Sequence, residues 1–151
     1  MRFEGTVEIA APRDRVWAFV IDPNQVGRCG PGVESIEVVD ATHFNATAKV
    51  GIGFISARFN VELELAQLEP PNRAVINAHG QAPGSAVDAT AEMRLSDGTL
   101  PGTTSMDWAA DVTIHGHIAA VGARLIEGTA NKMIGQAFDC IRSTLETSRA
   151  G

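Results

Sequence analysis

Two histidines stand at positions 115 and 117 with a single glycine between them. In extended chain, residues two apart point the same way, so this His-Gly-His could offer two imidazoles to one metal ion. A zinc site needs three or four ligands, and the one further candidate nearby in sequence is Asp111. The segment also falls where a strand pattern gives way to a helical one, which would turn the two rings apart. The expectation is therefore no metal site. His43 and His79 fall on the polar register of strand patterns and are expected in solvent.

The two cysteines, Cys29 and Cys140, are 111 positions apart. A single distant pair makes neither a disulfide framework nor a CxxC metal knuckle, and in a reducing compartment the expectation is two free thiols. Cys29 sits in "RCGPGVESI", residues 28 to 36, and nothing in the sequence pairs it with a base that would make it a nucleophile. It reads as a small semi-buried hydrophobe at a hinge, where Pro31 stops a helix and Gly30 and Gly32 supply turn backbone. Arg28 beside it reads as solvated.

Other chemistry is also missing from the pattern. There is no GxSxG elbow and no tyrosine. Glu62 and Glu64 beside Arg58 read as surface ion pairing, and Asp107 and Asp111 lie on a polar register. "VGIGF", residues 50 to 54, resembles a phosphate loop but has no following helix to supply a positive end. No catalytic residue and no cofactor is predicted.

The elements that would position any site follow from periodicity. "MRFEGTVEI" alternates, with Phe3, Gly5, Val7 and Ile9 on one face, as a half-buried strand requires. "APRDRVWAFVID" starts a helix near Pro12, and "DPNQVGRCGPG" allows one more short turn of helix. From Val33 to Ile114 the period is two, broken by "EPPNR" and "SDGTLPG", which gives six further strands, each with one dry and one wet face. From about His117 to Ser148 the period becomes helical through Ile118, Val121, Leu125, Met133, Phe138, Ile141 and Leu145. A helix of that length would run roughly 45 Å, long enough to cross a whole sheet. The predicted fold is α+β: a curved seven-stranded antiparallel sheet wrapped around a long C-terminal helix, with two short helices between strands 1 and 2.

Inward strand positions are small (Ala46, Ala48, Ala57, Ala89, Ala91, Ala110), and the helix carries glycine at 122, 128 and 135. Facing elements this slim either pack very close or leave an apolar hole, which is where ligand sites form. One domain over residues 1–151 accommodates all of this. The net charge of −6 excludes a nucleic-acid partner. The start lacks a signal-peptide pattern, and no apolar run reaches the roughly 18 residues of a membrane span, so the expected location is cytoplasmic.

The stretches "MRFEGTVEIAAPRDRVWAFVIDPNQVGRCGPGVESIE", "PPNRAVINAHGQ" and "VGARLIEGTANKM" resemble the CoxG-like family, that of the G subunit of carbon monoxide dehydrogenase, within the Bet v 1/START-like helix-grip superfamily. The matching motif positions are Cys29, Pro31 and Gly32 in the turn and Gly122, Arg124, Leu125 and Ile126 in the last helix. The resemblance implies a helix-grip fold with an apolar cavity. It also implies a non-catalytic accessory role to a molybdenum-containing CO dehydrogenase or related hydroxylase. Relatives often extend past the last helix with a tail thought to meet the membrane, whereas this sequence stops at Gly151, which counts against membrane recruitment. The expected location is cytoplasmic, at most peripheral at the inner membrane face. The implied ligand is a hydrophobic small molecule, an isoprenoid quinone or a lipid. Its expected lining is Phe44, Phe59, Met93 and Trp108 from the sheet with Leu125, Thr129 and Met133 from the helix. The alternatives are an aromatase/cyclase- or hydrolase-like enzyme on the same fold, which would need inward polar groups, and a protein-docking adaptor.

Overall fold

The computed structural model describes residues 1–148, so the last three positions of the expected 1–151 domain lie outside the described residues. The chain runs β1 (Arg2–Ile9), α1 (Arg13–Val20), α2 (Pro23–Val26), a 3-10 turn (Gly27–Cys29), β2 (Val33–Val38), β3 (His43–Ile52), β4 (Ile55–Glu69), β5 (Arg73–Ala82), β6 (Ser85–Asp97), β7 (Thr104–Gly116), a 3-10 segment (His117–Val121) and α3 (Ala123–Ser148). The strands form one antiparallel sheet in the order β1-β7-β6-β5-β4-β3-β2. Strands 2 to 7 are a plain meander, and β1 closes on β7. The two short helices therefore carry the chain from one edge of the sheet to the other.

Local chemistry sets the joints. Pro23 opens α2 behind Asp22, whose carboxylate accepts the Asn24 N–H at 2.9 Å. The buried Thr104 donates its hydroxyl to the Ala11 carbonyl at 2.7 Å, which anchors the loop before α1 to β7. Alternation along the strands puts Phe44, Phe59, Met93, Leu95 and Met106 in the interior, as their period of two requires.

The apolar interior has two parts. The larger gathers Ile9, Val16, Trp17, Phe19, Met93, Leu95, Met106, Ile141 and Leu145 between α1, the sheet and the C-terminal half of α3. The smaller gathers Ile52, Phe59 and Ile118 under the 3-10 segment at the other end. The alanines at 46, 48, 57, 89, 91 and 110, half-buried on the same face, supply little side-chain bulk to fill the sheet's inner face.

Three expectations are corrected. The last helix begins at Ala123, not near His117, because Gly116 (φ 85°) and Gly122 (φ 101°) hold left-handed backbone on either side of a five-residue 3-10 segment. Gly128 and Gly135 do not face the sheet. A Cβ at either position would meet nothing within 4 Å, since both lie on the outer side of α3, opposite Ile126, Met133 and Ile141. Cys29 and Cys140 are not free thiols but a disulfide, with Cα atoms 5.3 Å apart. The diagonal course of α3 brings its last third beside the turn after α2, a proximity that sequence spacing cannot show. Such bonds persist in oxidising compartments and are rare in a reducing cytosol, so the cysteines lend no support to a cytoplasmic location.

Candidate functional site

The turn from Gly27 to Val33 has a cavity on each side. On one side an apolar cavity of about 200 Å³ lies between the short helices and strands β2 to β5. Its wall is Val20, Ile21, Pro23, Val26 and Gly27 from the helical side and Val33, Ile36, Phe44, Ala46, Leu63, Leu65 and Ile76 from the sheet. No lining side chain is polar or ionisable. Ala46 pairs with Ile36 and Val61 in the ladders, so a methyl group stands where neighbouring positions carry branched chains. That substitution is what leaves the space open.

On the other side a cleft of about 270 Å³ runs between the same turn and α3, lined by Pro31, Gly32, Lys49, Val50, Gly51, Thr129, Lys132, Met133 and Gln136. The turn that separates the two spaces is fixed twice. The disulfide ties Cys29 to α3, and the Lys49 N–H donates to the Gly32 carbonyl at 2.9 Å. Gly32 has φ 79°, and a Cβ there would collide with the Lys49 carbonyl, so glycine is required by both conformation and space.

The expected lining residues do not share one place. Phe44 lines the apolar cavity, and Thr129 and Met133 line the cleft. Met93 is packed in the larger core and Phe59 in the smaller. Trp108 packs at a tilt against Phe138, ring centroids 5.4 Å apart, and its indole N–H is buried without a hydrogen-bond partner. Leu125 is 42% exposed at the start of α3, on the far side from the apolar cavity. Strand alternation identifies an inward face but not which inward residues touch a void. The wall supplied by Val20, Ile21, Pro23 and Val26 was missed, because "FVIDPNQV" reads as helix ends rather than as a lid.

Among the motif positions, Cys29 is in the bridge, Pro31 and Gly32 line the cleft, and Gly122 supplies the left-handed residue before α3. Its carbonyl accepts the Ile126 N–H at 3.2 Å, which starts the helix and turns Ile126 inward. Arg124 is exposed in the first turn of α3.

The outer face of the sheet is polar and open. A groove of about 660 Å³ there is lined by His43, Glu62, Glu64, Asn77, His79, Asp88, Thr90, Asp111 and Thr113, among others. Its two histidines are held by carboxylates, His43 by Asp40 at 2.9 Å and Glu64 at 3.2 Å and His79 by Asp88; His115, outside the groove lining, lies 3.6 Å from the same Asp88. The Asp40 carboxyl is lowered to about 2, chiefly because it accepts the Thr42 N–H and then the His43 ring. His43 is raised above its ordinary value, first by its hydrogen bond to Asp40. Among the described residues, no group of three or more His, Cys, Asp or Glu is placed to hold a metal ion. Although larger, this groove is a solvated ion-pair surface, and the smaller apolar cavity is the better ligand site for anything hydrophobic.

A family model for CoxG, the G subunit of carbon monoxide dehydrogenase, matches residues 5–146. Among solved structures, a conserved protein from Geobacillus kaustophilus superposes with a TM-score of 0.90 at 22% identity, covering 98% of this chain and 97% of that one. A START superfamily protein from Mycobacterium smegmatis gives a TM-score of 0.72 at 13% identity, with 97% of each chain covered. The ZhuI aromatase/cyclase from Streptomyces sp. R1128 gives 0.70 at 16% identity, with 97% of this chain and 93% of that one covered. At these identities the likeness is one of fold: a helix-grip, START-like domain. A search of curated proteins finds no match.

Proposed function

The chain belongs to the CoxG family, that of the carbon monoxide dehydrogenase G subunit, and from that premise we propose that it is a non-catalytic binding protein that holds a lipophilic small molecule. The ligand class is an isoprenoid quinone or a lipid, and the protein served is a molybdenum-type CO dehydrogenase or a related hydroxylase. The observation that carries the reading is the cavity beside Phe44 and Ala46, whose wall has no ionisable group. A ring or a short apolar chain gains by leaving water for such a wall, at about 25 cal/mol per Å² of apolar surface removed. At about 200 Å³ the cavity is below the usual range for a whole drug-sized ligand. A longer molecule would extend past the Gly27–Val33 turn into the cleft beside Met133. In this reading the disulfide fixes the partition between the two spaces.

The similarity to an aromatase/cyclase favours an enzyme as the second reading. Acid–base chemistry on a bound substrate requires a titratable group within hydrogen-bond reach of it; the apolar cavity wall offers none, and the cleft offers Lys49 and Lys132 alone. No helix is long and apolar enough to cross a membrane among the described residues. The Cys29–Cys140 bridge argues against the expected cytoplasmic location, so the proposal is confined to a peripheral place at a membrane surface.

Titration with a short-chain quinone analogue, followed by tryptophan fluorescence and calorimetry, tests the ligand reading. Saturable one-to-one binding that is lost in Ala46→Phe supports it. Absence of binding, with the wild-type fold intact, returns the protein to the adaptor reading. Co-purification with the hydroxylase tests the partner separately.

A further inference from the structure

The segment that forms the helical wall of the apolar cavity has a single buried anchor. Between Phe19 and Phe44, Cys29 alone is buried, at 5% exposure, and it is the residue bonded to Cys140 of α3. The helix α2 within this segment buries none of its four residues. Yet Val20, Ile21, Pro23, Val26 and Gly27 close the cavity over Phe44 and Ala46. The fit is close, since a Cβ at Gly27 would collide with the Ile36 side chain.

The segment's other ties are short in range. The Gln25 and Val26 N–H groups donate to the Asp22 carbonyl, Gly30 to Gly27 and Val33 to Gly30. The Gln25 side chain donates to the Asp22 carboxylate at 2.8 Å. Such bonds shape the turns without fastening them to the rest of the molecule. Among the described residues, one backbone hydrogen bond runs from 22–32 to a distant strand, the Lys49 N–H to the Gly32 carbonyl at 2.9 Å. A covalent bond therefore holds a thinly anchored cover over an apolar hole, and segments with few buried contacts are the ones that open locally.

We propose that the Cys29–Cys140 bridge is a redox latch on this cover. Oxidised, it retains the lipophilic ligand; reduced by a protein dithiol, it frees the cover and lets the ligand exchange. The latch rests on the ligand reading above and assigns that site its control. The chemistry is thiol–disulfide exchange. A thiolate of the dithiol attacks the Cys140 sulfur, because Cys140 is half-buried whereas Cys29 is 5% exposed. The Cys29–Cys140 bond breaks, and Cys29 leaves as a thiolate that takes up a proton. The second thiol of the reductant then attacks the mixed disulfide and releases Cys140, which is protonated in turn. Two electrons and two protons reach the protein, and the reductant departs as its own disulfide. Oxidation reverses these steps and closes the cover.

The test compares oxidised wild type, wild type reduced with dithiothreitol, and the Cys29→Ser/Cys140→Ser variant. Reduction should proceed without denaturant, and circular dichroism should show all three forms folded. Amide hydrogen exchange over residues 22–33 should be at least about ten-fold faster in the two forms without the bridge, while β6 and β7 stay protected over the same period. The short-chain quinone analogue should leave the serine variant at least about ten-fold faster than oxidised wild type, followed by stopped-flow tryptophan fluorescence. Unchanged exchange in the turn, or unchanged dissociation of a bound analogue, would overturn the latch. Reduction only in denaturant, or loss of the fold on reduction, would overturn it too and make the bridge a structural staple. If no form binds the analogue but the turn still exchanges faster on reduction, the redox-controlled cover stands and the ligand reading falls.

Discussion

Cys29 and Cys140 are bonded across 111 residues, and the bond joins the turn that walls both cavities to the last third of α3. Cross-linking residues this far apart removes much of the unfolded chain's freedom, and native bridges of this kind contribute about 2–4 kcal/mol. The Cys29→Ala/Cys140→Ala double variant is expected to lose about that much stability in urea melts. Intact mass under non-reducing conditions should be two hydrogens below the thiol form. Two titratable thiols in freshly prepared protein would contradict the bridge.

Filling the apolar cavity should separate binding from stability. Ala46→Leu places its side chain in the space beside Phe44 and Leu63. A true void accepts the added methyl groups, with stability unchanged or raised, whereas a close-packed site loses about 1–3 kcal/mol to overpacking. The expected outcome is a thermal midpoint at or above wild type together with loss of quinone-analogue binding. A large drop in the midpoint would show that β3 and the short helices already touch.

Glycines of opposite character in the same chain give a paired test. Gly32→Ala forces a side chain onto left-handed backbone and against the Lys49 carbonyl, and should cost about 1–3 kcal/mol. Gly128→Ala and Gly135→Ala add a methyl group to open space within a helix, and each should stabilise by up to about 1 kcal/mol. Chemical denaturation of the three variants measures both signs. A neutral Gly32→Ala would mean that the turn relaxes freely.

Asp40 and His43 make a pH prediction with a definite sign. His43 is raised from 6.5, so its pairing stabilises the fold below that value and is lost as pH rises through the folded midpoint. Asp40 is lowered from 3.8 to about 2, so its contribution is present above 3.8 and is lost as pH falls towards 2. Both contributions are in place between 3.8 and 6.5. Replacing Asp40 with Asn should lower the His43 midpoint, followed through its imidazole proton resonances. An unchanged midpoint would assign the shift to Glu64 instead.

The architecture follows from residue pattern alone. Six runs of period two after Val33, one strand before Pro12 and one helical run ending near Ser148 leave a single antiparallel sheet around a long helix as the way to bury every apolar face. That logic is local, since alternation at Phe44, Phe59, Met93 and Met106 follows from strand geometry whatever the neighbours are. The turn at Gly30–Gly32 was legible for the same reason, because glycine and proline act on their own backbone. Which parts of those faces meet depends on how the elements pack in three dimensions. The Cys29–Cys140 bridge depends on the angle at which α3 crosses the sheet. The outward direction of Gly128 and Gly135 depends on the rotation of that helix about its axis, which the left-handed Gly122 helps to set. The cavity depends on Val20, Val26 and Ala46 arriving together from segments distant in the chain. Leu125 reads as a core position in the helical period, yet it lies beside Gly53 on the surface, because a sheet that curves away leaves the first turn of the helix with only a hairpin tip beside it.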